Sequence, residues 1–186
     1  MAVFITGGGV KQGIITPVSF ISATGTQFIK TGVIPDQNLS VEVKYQTETT
    51  KGTIFGTDQG YKVQSFCVFT SVVSYLTDSS VQTLYGSSDH IVKMQKNQFY
   101  FDGTLKAAFS TGTFTTPLDI YLFANNRRGV NSEPISGKIY YCKMWSGDDL
   151  IKDLIPVVDA NGQFCMQDNL SGDLFYNAGT GEFAGG

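Results

Sequence analysis

Residues 39–46 read LSVEVKYQ, an unbroken alternation of apolar and polar side chains. Leu39, Val41, Val43 and Tyr45 fall on one side, and Ser40, Glu42, Lys44 and Gln46 on the other. A period of two is the spacing of a β-strand with one face on a core and one in water. Short runs of similar character recur at 26–30, 52–56, 64–70, 72–76, 81–85, 90–95, 98–101, 120–124, 138–145, 150–157, 163–166 and 174–176. Turn chemistry separates many of them: PDQN, TDSS, GSSD, FDG, SGDD, DANG and SGD. No long segment carries a helical period, and no internal repeat suggests a propeller. The pattern predicts an all-β chain folded as a sandwich or barrel.

The chain has 186 residues, enough for one domain with a sizeable core. Charged residues make up only 16%, against a typical quarter, so the surface is expected to rely on Thr, Ser, Asn, Gln and Gly. A net charge of −3 gives no electrostatic footprint for nucleic acid. The three cysteines, Cys67, Cys142 and Cys165, each sit in an apolar run with no CxxC spacing, and are expected as buried, reduced thiols. With His90 the single histidine, no zinc site is expected. The apolar start MAVFI is too short for a signal peptide, and no window has the length of a membrane helix. Synthesis in the cytoplasm is therefore expected, with no membrane partner, and any route outside a cell would run through an assembled particle.

Residues 1–17 differ from the rest. Two short apolar runs flank Gly7-Gly8-Gly9, and the segment ends at Pro17. The glycines lack the Lys-Ser/Thr that a phosphate loop requires. The segment reads as an attachment arm whose Val3, Phe4, Ile5, Val10, Ile14 and Ile15 could pair with a neighbour's sheet edge. The domain proper is expected over 18–186. Within it, the hairpin GKIYYCKMWSGDDLIKDLIPV should place Ile139, Tyr141, Lys143 and Trp145 outward and Tyr140, Cys142 and Met144 on the core. Pro156 predicts a strand end or an edge position. In the tail, LFYNAGTGEF, a strand at 174–176, a turn at 177–181 and a returning strand at 182–183 are expected, with Phe183 in the core.

Several motifs taken together, FISATGTQFIKTGVIPDQNLSVEVKYQ, FDGTL, DIYLFANNRRG, GKIYYCKMWSGDDLIKDLIPVVDANG and GDLFYNAGTGEF, resemble a known family. It is the concanavalin A-like, or laminin G-like, jelly-roll domain found in virion and tail- or head-fibre proteins of phages and prophages of gut bacteria. The resemblance spans about residues 18–183 and implies a two-sheet antiparallel β-sandwich. It further implies that FDG is a tight hairpin turn and that FANN closes a core strand and opens a loop. Glycosidases of the laminarinase type on this fold carry Glu-x-Asp-x-x-Glu, whereas Glu42, Glu48, Glu133 and Glu182 have no such spacing, so no enzyme is expected. Lectins and laminin G modules of this fold often hold Ca²⁺ at one rim. Asp78, Asp89, Asn125 and Asn126 offer oxygens, but turn capping accounts for them without a metal, and no cofactor is expected.

A glycan site would combine loop polar groups with aromatic platforms. Asn125, Asn126, Arg127 and Arg128, in ANNRRGVNSEP, with Tyr61 and Trp145, are the candidates. The implied function is that of a non-enzymatic virion structural subunit on a phage head or tail. It would be anchored to other virion proteins by the arm, would associate with its own copies, and would contact host-surface glycan. A bacterial carbohydrate-binding or adhesion module is the alternative.

Overall fold

The computed structural model describes residues 15–60 and 62–186. The arm residues Val3, Phe4, Ile5, Val10 and Ile14, and Tyr61, lie outside the described residues. Among those described there is no helix. The strands form two large sheets, of eleven and eight strands, antiparallel but for one parallel pair in the smaller. Leu39–Thr47 lies inside the larger sheet, between Gly86–Gln95 and Ser136–Ser146. Beyond Gly86–Gln95 come Gln98–Phe101 and then the edge strand Thr104–Ala108. On the other side Ser136–Ser146 leads to Asp149–Val158, Phe164–Asp168 and Leu174–Phe175. The smaller sheet runs Val130–Ser132, Asn125–Arg127, Thr53–Asp58, Ser65–Phe69, Val72–Leu76 and Asp78–Val81.

The two inner faces share one core. Val41, Val43, Tyr45, Cys142 and Met144 meet Phe66, Val68, Val73 and Tyr75, all essentially inaccessible to water. The expected alternation in 39–46 is realised, with Leu39, Val41, Val43 and Tyr45 buried. The buried Tyr45 hydroxyl donates to the Leu84 carbonyl at 2.6 Å, the partner an inward phenol requires. Phe114 stands edge-on to Tyr75, with centroids 5.1 Å apart. All three cysteines are free and buried.

Four expectations need correction. First, Ile139 is fully buried and Tyr140 is turned outward, its hydroxyl bonding Asp89 at 2.7 Å. A register shift against Leu39–Thr47 between Ile139 and Tyr141 inserts one residue and reverses the parity upstream of it. Second, Pro156 is buried and paired with Met166 inside the larger sheet. Its strand pairs with Ser136–Ser146 only as far as Leu154, and then with Thr16–Pro17 at Val157 and Val158. The Pro156 carbonyl accepts from Val18 N at 3.0 Å. An N–H on that residue would point the same way, so the missing donor faces the junction between two partners. Third, GSSD is strand, because Gly86 pairs with Thr47, and the strand expected at 81–85 forms instead at Asp78–Val81. Fourth, FANN opens no loop: Asn125–Arg127 pairs in parallel with Thr53–Asp58 and antiparallel with Val130–Ser132. FDG is the expected tight turn, with φ of 47° at Asp102 and 74° at Gly103.

The tail closes the sandwich. Leu174–Phe175 pairs with Phe164–Asp168. Ala178 N then donates to Phe28 O, and Thr180 N to Thr26 O. A Cβ at Gly179 would lie 2.0 Å from the Thr26 carbonyl oxygen, so only glycine passes there. Phe183 is buried against Phe123, centroids 5.3 Å apart. The returning strand is Ala184–Gly185, paired with Ile21–Thr24 two residues later than expected.

Candidate functional site

The two outer faces differ in how their charges are used. On the larger sheet, register aligns Lys93, Glu42, Lys143 and Asp153 across four strands. Lys93 pairs with Glu42 at 3.4 Å and Lys143 with Asp153 at 3.7 Å. The lysines also cover rings: Lys93 over Trp145 at 4.8 Å, Lys44 over Tyr140 at 4.8 Å and Lys138 over Phe20 at 4.5 Å. A tight hydrogen bond ties Tyr140 to Asp89. Burial and Asp89 push the phenol up to about 12, while the same bond chiefly draws the Asp89 carboxyl below its usual range. Opposite charges alternate across this face and balance locally.

The smaller sheet concentrates its polar groups instead. In Ser65–Phe69 and Val72–Leu76, Phe66, Val68, Val73 and Tyr75 point inward, so Cys67, Phe69, Val72 and Ser74 stand on the outer face. Asp58, at the end of the Thr53–Asp58 strand, is 1% exposed yet ionisable. Its carboxylate accepts from Asn125 Nδ2 at 2.7 Å, Gly60 N at 2.9 Å, Arg127 Nε at 3.1 Å and Arg127 Nη2 at 3.2 Å. A buried carboxylate is tolerated when bonded this fully. The Asp58 hydrogen bond chiefly holds the Arg127 guanidinium above its usual value; burial, the next largest effect, opposes it, and the charges of Asp58 and Glu133 add to it. Cys67 Sγ donates to Thr57 O at 3.1 Å. Burial, reinforced by Asp58, raises this thiol well above its ordinary value, so it stays protonated and is no nucleophile.

The hairpin 125–132 turns at Arg128 and Gly129, with φ of 56° and 83°. That places Arg127 beside Asp58 in register and Arg128 past the strand end, where its Nε donates to Gln59 O at 2.8 Å. Arg127 Nη1 reaches Glu133 Oε1 at 3.2 Å. Next to this pair opens a cavity of about 540 Å³, lined by Lys51, Arg127 and Glu133 together with Phe69, Ser71 and Val72. Gly52 lines it with φ of 149°, and a Cβ there would lie 2.4 Å from Ile135 Cγ2. Two hydroxyls of these strands, on Thr53 and Ser74, are buried without a hydrogen-bond partner among the described residues.

The structure thus brings four of the six sequence candidates together. Asn125 and Asn126 are buried, and their amides serve the fold. Asn125 bonds Asp58 and Cys67, while Asn126 bonds Asp119 and Gly129. Arg127 and Arg128 remain partly accessible. Trp145 lies on the other sheet, beside a cleft of about 210 Å³ lined by Ser40, Lys93, Gln95 and Asp148. Sequence reasoning missed Lys51, Asp58, Phe69, Val72 and Glu133. The available signal was Asp58 itself, the single charge in the apolar and small run GTIFGTDQG.

The candidate calcium oxygens are dispersed. Asp78 accepts from Ser110 N at 2.7 Å, and Asp89 faces Lys44 and Tyr140 on the larger sheet. Among the described residues no three His, Cys, Asp or Glu side chains are grouped to hold a metal ion. No protein-family model and no curated protein matches the chain.

Proposed function

We propose that the protein is a non-enzymatic structural subunit of a bacteriophage virion. It would be a concanavalin A-like jelly-roll module carried on head or tail as a fibre or decoration subunit. Its N-terminal arm would hold it to other virion proteins and to its own copies, and the outer face of its smaller sheet would contact host-surface carbohydrate. The observation that carries the carbohydrate contact is the 540 Å³ cavity between Arg127 and Phe69. Its volume lies in the range of small-molecule sites, and it joins an apolar wall to a few placed polar groups. Phe69, Val72 and Arg127 stand on paired strands, which favours a preformed wall, while Lys51, Ser71 and Glu133 lie in the connections beside them. A binding role without catalysis is supported by its acids, since Asp58 and Glu133 are both engaged by Arg127. The virion role rests on the family resemblance together with the arm. Immunoelectron microscopy of particles released by cells that carry the gene tests it. Antibody raised against the protein should label particles; label confined to the cell envelope would overturn the virion reading in favour of an adhesion module.

A further inference from the structure

We propose that the groove between Lys51 and Phe69 selects a carboxylate-bearing saccharide, with the acid at Lys51 and Arg127 and a carbon face on Phe69 and Val72. The inference rests on the carbohydrate reading above and names the class of sugar. Four observations lead to it.

Lys51 is exposed and has no ion-pair partner among the described residues, unlike the lysines of the larger sheet's outer face. Arg127 spends Nε and one Nη2 hydrogen on Asp58 and one Nη1 hydrogen on Glu133. A guanidinium has five N–H groups, so one remains on each terminal nitrogen. Its side chain is 31% exposed, and it lines the groove. Two cationic groups with spare donors suit a carboxylate, which forms shorter and stronger bonds than a neutral hydroxyl.

Lys51 and Arg127 stand against Asp58 and Glu133, so a carboxylate would be held by aimed spare donors rather than by a surplus of positive charge. Asp58 is buried and consumed by its own bonds, so it neutralises Arg127 without facing the ligand. Glu133 carries the charge that balances the rest, and a second acidic group would meet it. Lys51 is left as the cation of the lining without an ion pair among the described residues. The rest of the lining is mainly apolar: the buried Phe69 and the half-buried Val72, with Ser71 between them. An acyl, methyl or ring C–H face can bury there. A divalent cation fits poorly, because among the described residues Glu133 is the single carboxylate of the lining.

The test uses the full chain with oligogalacturonate, a sialylated oligosaccharide and the carboxyl-reduced form of each, measured by calorimetry. Binding of at least one acidic form is expected, weakened about tenfold or more by carboxyl reduction and by Lys51→Gln, the scale of a lost charge-assisted bond. Lys51 is an exposed side chain, so the variant should melt like the parent. Equal affinity for the reduced forms would overturn the acid assignment while leaving the carbohydrate reading in place. No binding of any of the four would overturn both. Binding lost in Trp145→Ala but kept in Lys51→Gln would overturn the groove and move the sugar to the larger sheet. Tighter binding of an acidic peptide than of any glycan would overturn the saccharide class.

Discussion

Asp58 ties the hairpin 125–132 to the sheet through a single carboxylate, and its removal should be felt well beyond one residue. Asp58→Ala leaves Arg127 and the Asn125 amide without their main acceptor. Arg127 is partly hydrated, which softens the loss, and a destabilisation of about 2 kcal/mol is expected from denaturant unfolding. Phe183→Ala empties a site that is 5% exposed and should cost about 3 kcal/mol; an unchanged melting temperature would contradict the packing. Asp159 makes a pH prediction. The Gln163 amide draws its carboxyl below the usual value. Burial opposes this, while the Asn161 amide and Tyr176 hydroxyl add to it. A folded value below the unfolded one makes the charged form favour the fold. The contribution is therefore complete above about pH 4, the ordinary aspartate range, and is lost as pH falls through the lowered value. Asp159→Asn should melt lower than the parent at neutral pH and lose less on acidification below about pH 4. A parallel pH profile for the two proteins would contradict it.

At the scale of elements, regular alternation was legible and its interruptions were not. LSVEVKYQ forms its strand as read because nothing breaks its parity. IYYCKMW was misread upstream of Tyr141 because a bulge leaves no mark in an apolar run. The Asn125–Arg127 strand was hidden for another reason: its inward and outward residues are both polar, and Arg-Gly is not a usual signature for a tight hairpin turn. The site shared this fate. Arg127 was found by its residue type; Glu133 joins it across the unforeseen 125–132 hairpin, and Lys51 and Phe69 only through strand pairings distant in sequence. The tail offers a test at this scale. Gly179→Ala must displace the chain from Thr26, so the Ala178 and Thr180 amides should lose protection in hydrogen exchange while those of Leu39–Thr47 keep theirs.

Across the whole molecule, the sheets divide labour. The larger carries neutralised rows of charge and receives the first and last described strands: Thr16–Pro17 fills the junction beside Pro156, and Ala184–Gly185 pairs with Ile21–Thr24. The smaller carries the groove. Among the described residues pairing begins at Thr16, and on the proposed arm role a chain lacking residues 1–14 should still fold and melt near the parent. The proposed arm role predicts that it fails to enter particles, and normal incorporation would refute that role. The central claim, that recognition resides on the smaller sheet, is tested most directly by a nuclear magnetic resonance titration of the protein with an acidic oligosaccharide. The account predicts shifts at Lys51, Gly52, Phe69, Val72 and Arg127, with the Trp145 indole unmoved. Shifts at Trp145, Lys93 and Gln95 with the groove silent would contradict it.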